Sequence, residues 1–286
     1  MSSIDINAIA SVESFPPPLV KLVPNLDTIF ILAKSFDVYE ISRLVGSEIR
    51  KVRKGIYCIR LGSRTLISPH LVSVALSFCP LYMYYCLSLG SIVLTSRQVR
   101  GLAIGYLVHK VYVHEFKKSN FGGLALDEVE VSGEAFGLDF VGRIDLLYVS
   151  TRRLGKVRKG IVACGDVYVI EIKSGREARL GAFAQVLIYR KLLGFGKCFV
   201  VTREHAYRLV KTRKLESIVE NVLRELLRAR EPPTHLARLD SCSSCPFAML
   251  TFCELHKSEN EKINQDDSYK SRQSSRRNSQ IVSSSW

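Results

Sequence analysis

Between Arg64 and Arg97 the chain has no Lys, Arg, Asp or Glu. That absence excludes a solvated charged surface over the stretch and leaves a buried helix or a membrane span. Leu71 to Leu89 is apolar enough to count as a span candidate. Pro80 at its centre, three interior tyrosines and recurring serines favour the buried helix, so no membrane partner is expected. A helicase motif is also missing, as is a G-x-x-x-x-G-K-S/T phosphate loop, which excludes a P-loop motor. No clear cleavable leader opens the chain, so a cytoplasmic protein is expected. Eight cysteines in a chain of this length are not the framework of a small secreted scaffold; clustered in an intracellular protein they point to metal or cluster binding. Acid is scarce as well: 27 Asp and Glu against 41 Lys and Arg give a net charge of +14, which favours a polyanionic partner.

What is present suits a folded core. The 286 residues are 47% apolar, enough for one large domain or two modest ones. Residues 1–67 carry no recognisable chemistry and read as an accessory region. Ser68-Pro69 starts a helix, with Ser as cap and Pro at the first helical position. A second helix is expected from Thr95 or Ser96 to about Phe116, and a hairpin from Leu126–Val131 and Leu138–Val149. The link from Ser150 to Gly165 holds Arg152, Arg153, Lys156, Arg158 and Lys159, which suits either a solvated loop or phosphate contacts. Val167–Ile172 is β-branched and aromatic and reads as a strand. A helix over Glu177–Leu193, short strands at Cys198–Val201 and Tyr207–Val210, and an amphipathic helix over Leu215–Arg228 follow. The last has Ile218, Val222, Leu223, Leu226 and Leu227 as its apolar stripe. The fold class is therefore mixed α/β, a central mixed sheet flanked by helices. Lys257 to Trp286 is serine-rich and reads as a disordered tail. Six Lys/Arg less four Asp/Glu put +2 in that tail and leave +12 in the rest, so the basic character belongs to the folded part.

The chemistry gathers between Gly142 and Tyr189. Gly142-Arg143-Ile144-Asp145 puts an aspartate inside an apolar run. Glu171-Ile172-Lys173 ends the central strand, with Glu171 and Lys173 two apart and so on one face. If the two strands are neighbours, both carboxylates converge with Lys173. Two carboxylates suit a hard cation, magnesium or manganese, which polarises a phosphodiester oxygen and lowers the pKa of water. Lys173 would hold the water and offset developing charge. Gln185 and Tyr189, four apart, share a helix face and would orient a nucleic-acid strand. Gly105 and His109 are also four apart; an isolated histidine there reads as partly buried packing. Near the end, Cys242-x-x-Cys245 and Cys253 have metal-type spacing and lack a local fourth ligand. Either His256 completes a zinc site or a distant cysteine does, with Cys79 before Pro80 echoing Cys245 before Pro246 and Cys86 competing. Cys58, Cys86, Cys164 and Cys198 otherwise read as ordinary packing.

The order Gly105-x-x-x-His109, Gly142-x-x-Asp145, Glu171-x-Lys173, Gln185-x-x-x-Tyr189 resembles the RecB-like branch of the PD-(D/E)xK nuclease superfamily. With one cysteine before that core and three after it, the chain is similar to its iron–sulfur members, above all the CRISPR-associated exonucleases. The resemblance covers about residues 68–256. It implies a restriction-endonuclease-like core with a helical subdomain stapled by a 4Fe-4S cluster on Cys79, Cys242, Cys245 and Cys253. It further implies metal ligands His109, Asp145, Glu171 and the Ile172 carbonyl. Catalytic roles would fall to Asp145, Glu171 and Lys173, and the orienting role to Gln185 and Tyr189. The implied activity is hydrolysis of single-stranded DNA from the 5′ end, trimming spacer precursors for a CRISPR integrase complex in antiviral defence; an oligomer is left open. A repair, recombination, viral or plasmid nuclease and a catalytically quiet DNA-binding adaptor are the competing expectations.

Overall fold

In the computed structural model, residues 5–23, 25–61, 66–150, 153–157, 160–164 and 166–253 are described, side chains in 151–165 excepted. They fall into two compact units, 1–238 and 239–286. The Lys257–Trp286 tail and His256 lie outside the described residues, as do the side chains of the basic link.

In the larger unit, strand β1 (Ala10–Glu13) is followed by helices α1 (Leu19–Leu22), α2 (Leu26–Ser35) and α3 (Val38–Val45). Strands β2 (Ile49–Arg53) and β3 (Ile56–Arg60) lead into α4 (Pro69–Ser77), α5 (Pro80–Leu89), β4 (Ser91–Thr95) and the long α6 (Ser96–Lys118). Then come β5 (Gly123–Ala135), β6 (Leu138–Ser150), β7 (Arg153–Val157), β8 (Gly160–Cys164) and β9 (Val167–Ile172). Helix α7 (Leu180–Leu193), β10 (Lys197–Val201), β11 (Ala206–Leu209) and α8 (Thr212–Arg228) complete the unit.

Six strands form one mixed sheet in the order β1-β11-β10-β9-β6-β5, with only β9 and β10 parallel among its pairs. The parallel pair needs a crossover, and α7 supplies it. Successive strand residues face opposite ways. Ile170 and Ile172 therefore pack with Val108, Tyr112 and Phe116 of α6, while Val169 packs with Tyr189 of α7. The protein is thus a mixed α/β fold, a mixed sheet flanked by helices. Each such buried aliphatic or aromatic side chain stabilises by about 1.5–3 kcal/mol.

The charge-free stretch forms two helices. Pro80 removes a backbone donor and clashes with the preceding turn, so α4 stops at Ser77 and α5 restarts with Cys79 as its N-cap. Among the described residues no helix is long and apolar enough to cross a membrane. Helix α6 begins in a full capping box: Thr95 accepts from Gln98 N–H, and Gln98 accepts from Thr95 N–H.

Three local expectations are corrected. The basic link is a paired ribbon, β7 on β8 from Arg153↔Cys164 to Val157↔Gly160; its hydrogen bonds are satisfied locally and need no apolar pattern. Helix α7 starts at Leu180 and not at Glu177, because the chain from Ser174 to Arg179 has first to turn away from the end of β9. The buried stripe of α8 contains Leu215 and Val219, whereas Leu227 is exposed. Within residues 1–67, β1 joins the edge of the main sheet and Leu19, Val23 and Leu26 enter its core. Strands β2 and β3 form a second sheet with β4.

The smaller unit holds a 3-10 turn over Leu239–Ser244 and the short helix α9 (Pro246–Met249), capped by Cys245.

Candidate active site

The site lies where β6 and β9 part. They pair from Val149↔Val167 to Leu146↔Ile170 and no further. At the fork Asp145 Oδ2 accepts the Ile172 N–H at 2.8 Å, taking the place of the missing ladder acceptor. From α6, His109 Nε2 donates to the Asp145 carbonyl at 3.1 Å; a carbonyl only accepts, so this nitrogen carries the proton.

Glu171, 3% exposed, lies beside Asp145. Its Oε1 takes Lys173 Nζ at 2.7 Å, and its Oε2 is buried without a hydrogen-bond partner. Lys173 also donates to Gln185 Oε1 at 3.1 Å. Gln185 Nε2 donates to the Tyr189 oxygen at 3.2 Å, and the Tyr189 hydroxyl to the Arg143 carbonyl at 2.8 Å. The i, i+4 spacing on α7 thus joins the acid–lysine cluster back to β6, two residues before Asp145. The Gly142 of the Gly-x-x-Asp segment has a packing reason: a Cβ there would stand 2.9 Å from the Tyr189 ring and from Pro69 Cδ. Gly105 has no such reason, since a Cβ there meets nothing within 4 Å.

Burial drives the electrostatics. It pushes Glu171 up to about 8, and the neighbouring Asp145 charge adds to the push. Asp145 is also raised by burial, against the pull of Lys173 and the Ile172 N–H. Two buried carboxyls side by side titrate as a pair. Burial opposes the Lys173 charge, but Glu171 and Asp145 outweigh it and hold the ammonium above its ordinary value. His109 is lowered by burial, against the Asp145 carbonyl and the charges of Glu128 and Glu171.

Sequence reasoning missed Glu128. In β5 the register runs from Asp127↔Leu146 to Val129↔Ile144 without a shift, so Glu128 stands across from Asp145, with a left-handed φ of 51°. Its carboxylate pairs with Lys110 at 2.8 Å and with Arg143 at 3.8 Å. Which residue stands across from Asp145 is set by strand register, and adjacent acids in a strand carry no signal of it.

The structure therefore brings His109, Asp145, Glu171, Lys173, Gln185 and Tyr189 into one hydrogen-bonded cluster. Among the described residues no three His, Cys, Asp or Glu side chains are gathered as a metal-binding group. The reason is visible in the bonding: Asp145 is turned to Ile172, Glu171 to Lys173, and His109 Nε2 to a carbonyl. His114 has a 75% exposed side chain on the surface.

A cleft of about 360 Å³ opens beside Lys173, walled by α4, the start of α6 and the turn from Ser174 to Arg179. The cysteines divide between the units. Cys79, buried, belongs to the larger; Cys242, half-buried, and Cys245 and Cys253, buried, belong to the smaller; none forms a disulfide. Cys79 and Cys245 share one local geometry: each precedes a proline at the first helical position, and neither side chain makes a capping hydrogen bond. Cys198 donates to the Val186 carbonyl at 3.4 Å, which is packing.

No family model matches the chain, and no curated protein matches it. Among solved structures the chain is similar to that titled "Crystal structure of SSO0001", with a TM-score of 0.42 and 17% identity, over 66% of this chain and 87% of that one.

Proposed function

We propose that the chain is a metal-dependent nuclease of the RecB-like, PD-(D/E)xK type that hydrolyses phosphodiester bonds in single-stranded DNA. The observation that carries this reading is the buried junction of Asp145, Glu171 and Lys173, tied through Gln185 and Tyr189 to the strand that holds Asp145. Burying two acids and a lysine costs stability, a cost that a purely structural junction would have no reason to carry.

The donors fit magnesium or manganese. Asp145 and Glu171 supply hard oxygens, and the unpartnered Glu171 Oε2 is a buried acceptor that a cation would satisfy. Asp145, Glu171, His109 and the Ile172 carbonyl would hold the ion. When bound, it supplies Lewis acidity toward the phosphodiester. Lys173, anchored by Glu171 and Gln185, places an ammonium where a water can be aligned for in-line attack and where charge develops on phosphate oxygen. Gln185 and Tyr189 fix the lysine, and burial keeps bulk water away from the acids.

The cysteines complete the proposal. Cys79, Cys242, Cys245 and Cys253 offer soft thiolates suited to an iron–sulfur cluster with a structural role. Anaerobically purified protein should be brown, and the broad visible band should vanish in Cys79→Ala and Cys245→Ala; colourless protein with stoichiometric zinc would defeat the cluster. From the motif order alone, we propose the trimming of CRISPR spacer precursors as the setting of this activity.

A catalytically quiet DNA-binding protein is the second reading, favoured by the engagement of Asp145, Glu171 and His109 in protein hydrogen bonds. One experiment separates the two. Single-stranded oligodeoxynucleotide is incubated with the protein and magnesium or manganese, beside Asp145→Ala and Lys173→Ala. Cleavage lost in both variants, with circular dichroism retained, supports the nuclease. Cleavage retained in either variant defeats the assignment, and binding without cleavage in any divalent metal selects the quiet reading.

A further inference from the structure

We infer that the cleft beside Lys173 seats the nucleotide adjoining the bond under attack, with Arg179 on its phosphate and Phe78 against its base. The inference rests on the nuclease reading and goes beyond it by naming the groups that hold the strand.

The cleft volume, about 360 Å³, suits one nucleotide unit and not a stacked duplex. Its walls carry what such a unit needs. Lys173 is shared with the acid cluster, so the cleft is continuous with the proposed chemistry. Arg179 lines the same cleft and is exposed. It enters no salt bridge among the described residues, while nearby Arg176 is taken by Glu204 at 3.7 Å. An unpaired guanidinium near a lysine is suited to phosphate.

The lining also holds apolar and hydrogen-bonding groups. Phe78, the C-cap of α4, lines the cleft and meets Tyr82 edge-on at 5.8 Å. An aromatic there gives a base a stacking surface without reading its identity. Gln98, whose Oε1 accepts the Thr95 N–H, also lines the cleft and has its amide Nε2 as a remaining donor. That donor suits base oxygens and ring nitrogens. Glu177 is the acid among the lining residues, and its charge opposes a phosphate close to it.

The test uses the full chain with magnesium or manganese and a short single-stranded oligodeoxynucleotide. Arg179→Ala and Phe78→Leu should each raise KM about tenfold and leave kcat within about twofold. Glu177→Gln should lower KM. A second readout needs no cleavage: binding of a labelled oligothymidylate in an Asp145→Ala background should weaken about tenfold with Arg179→Ala, and its salt slope should fall by about one. Unchanged KM and unchanged affinity in both Arg179→Ala and Phe78→Leu would overturn the cleft while leaving a cleaving wild type as a nuclease. A wild type that never cleaves, with Arg179→Ala still weakening binding, would remove the nuclease and keep the cleft as a nucleotide seat.

Discussion

Replacing Glu171 by Gln keeps the side chain's shape and removes its ionisable oxygen. The expected result is a flatter dependence of stability on pH. Glu171 moves from an ordinary value of 4.5 to about 8 on burial. Between those values the native state holds one proton more than the unfolded chain, so stability falls as pH rises through the window. The slope is about 1.4 kcal/mol per pH unit, with an upper limit of about 5 kcal/mol for the whole span. Asp145, also raised by burial, adds in the same direction. His109 acts oppositely: its native pKa is lowered, so its contribution rises with pH up to its ordinary value of 6.5 and is then complete. The cleanest window therefore runs from about pH 7 to 8, where Glu171 alone is worth about 1 kcal/mol. Urea unfolding with chelator present, followed by far-ultraviolet circular dichroism, measures it. Wild type should lose stability from pH 7 to 8, and Glu171→Gln should not. Added magnesium should restore the wild type at pH 8 and do less for the variant, because the cation neutralises the buried charge that the Glu171 proton neutralises at lower pH. Parallel pH curves for the two proteins would refute the account of a buried acid pair.

Two further substitutions test the packing that sets up the site. Gly181→Ala would drive a methyl group into the Ser73 carbonyl where α4 crosses α7, and should cost about 3 kcal/mol in urea unfolding. Gly142→Ala would press on the Tyr189 ring and Pro69; a cost of about 1–3 kcal/mol is expected, with a larger relative loss of cleavage than in a surface control.

The parts of the fold that were readable are those with local causes. Val167–Ile172 is a strand because its β-branched run is bounded by turn residues, and α6 begins where Thr95 and Gln98 can cap each other. The break at Cys79-Pro80 follows from proline alone. Strand β1 was not readable: Ala-Ser-Val-Glu has little strand character, and it is extended because β11 offers an edge from Ala10↔Leu209 to Glu13↔Ala206. The β7–β8 ribbon was hidden by its Arg and Lys content, which looks like loop. At the site, the order of Asp145, Glu171, Lys173, Gln185 and Tyr189 was enough to anticipate their meeting. The turn of Asp145 onto the Ile172 N–H was not, because it depends on where β6 leaves β9.

The hydrogen bonds from Lys173 through α7 have a direction. An ammonium only donates, so Gln185 must offer Lys173 its oxygen. Its amide then donates to the Tyr189 oxygen, and the hydroxyl proton turns to the Arg143 carbonyl. Every dipole along this path points the same way, and each bond polarises the next. The path ends on a backbone carbonyl, which cannot take up a proton. It is a one-way wire with no sink at its far end. A lysine held at the head of such a wire stays charged: in the proposed nuclease it would act as a fixed cation toward phosphate, and the removal of a proton from water would fall to another group.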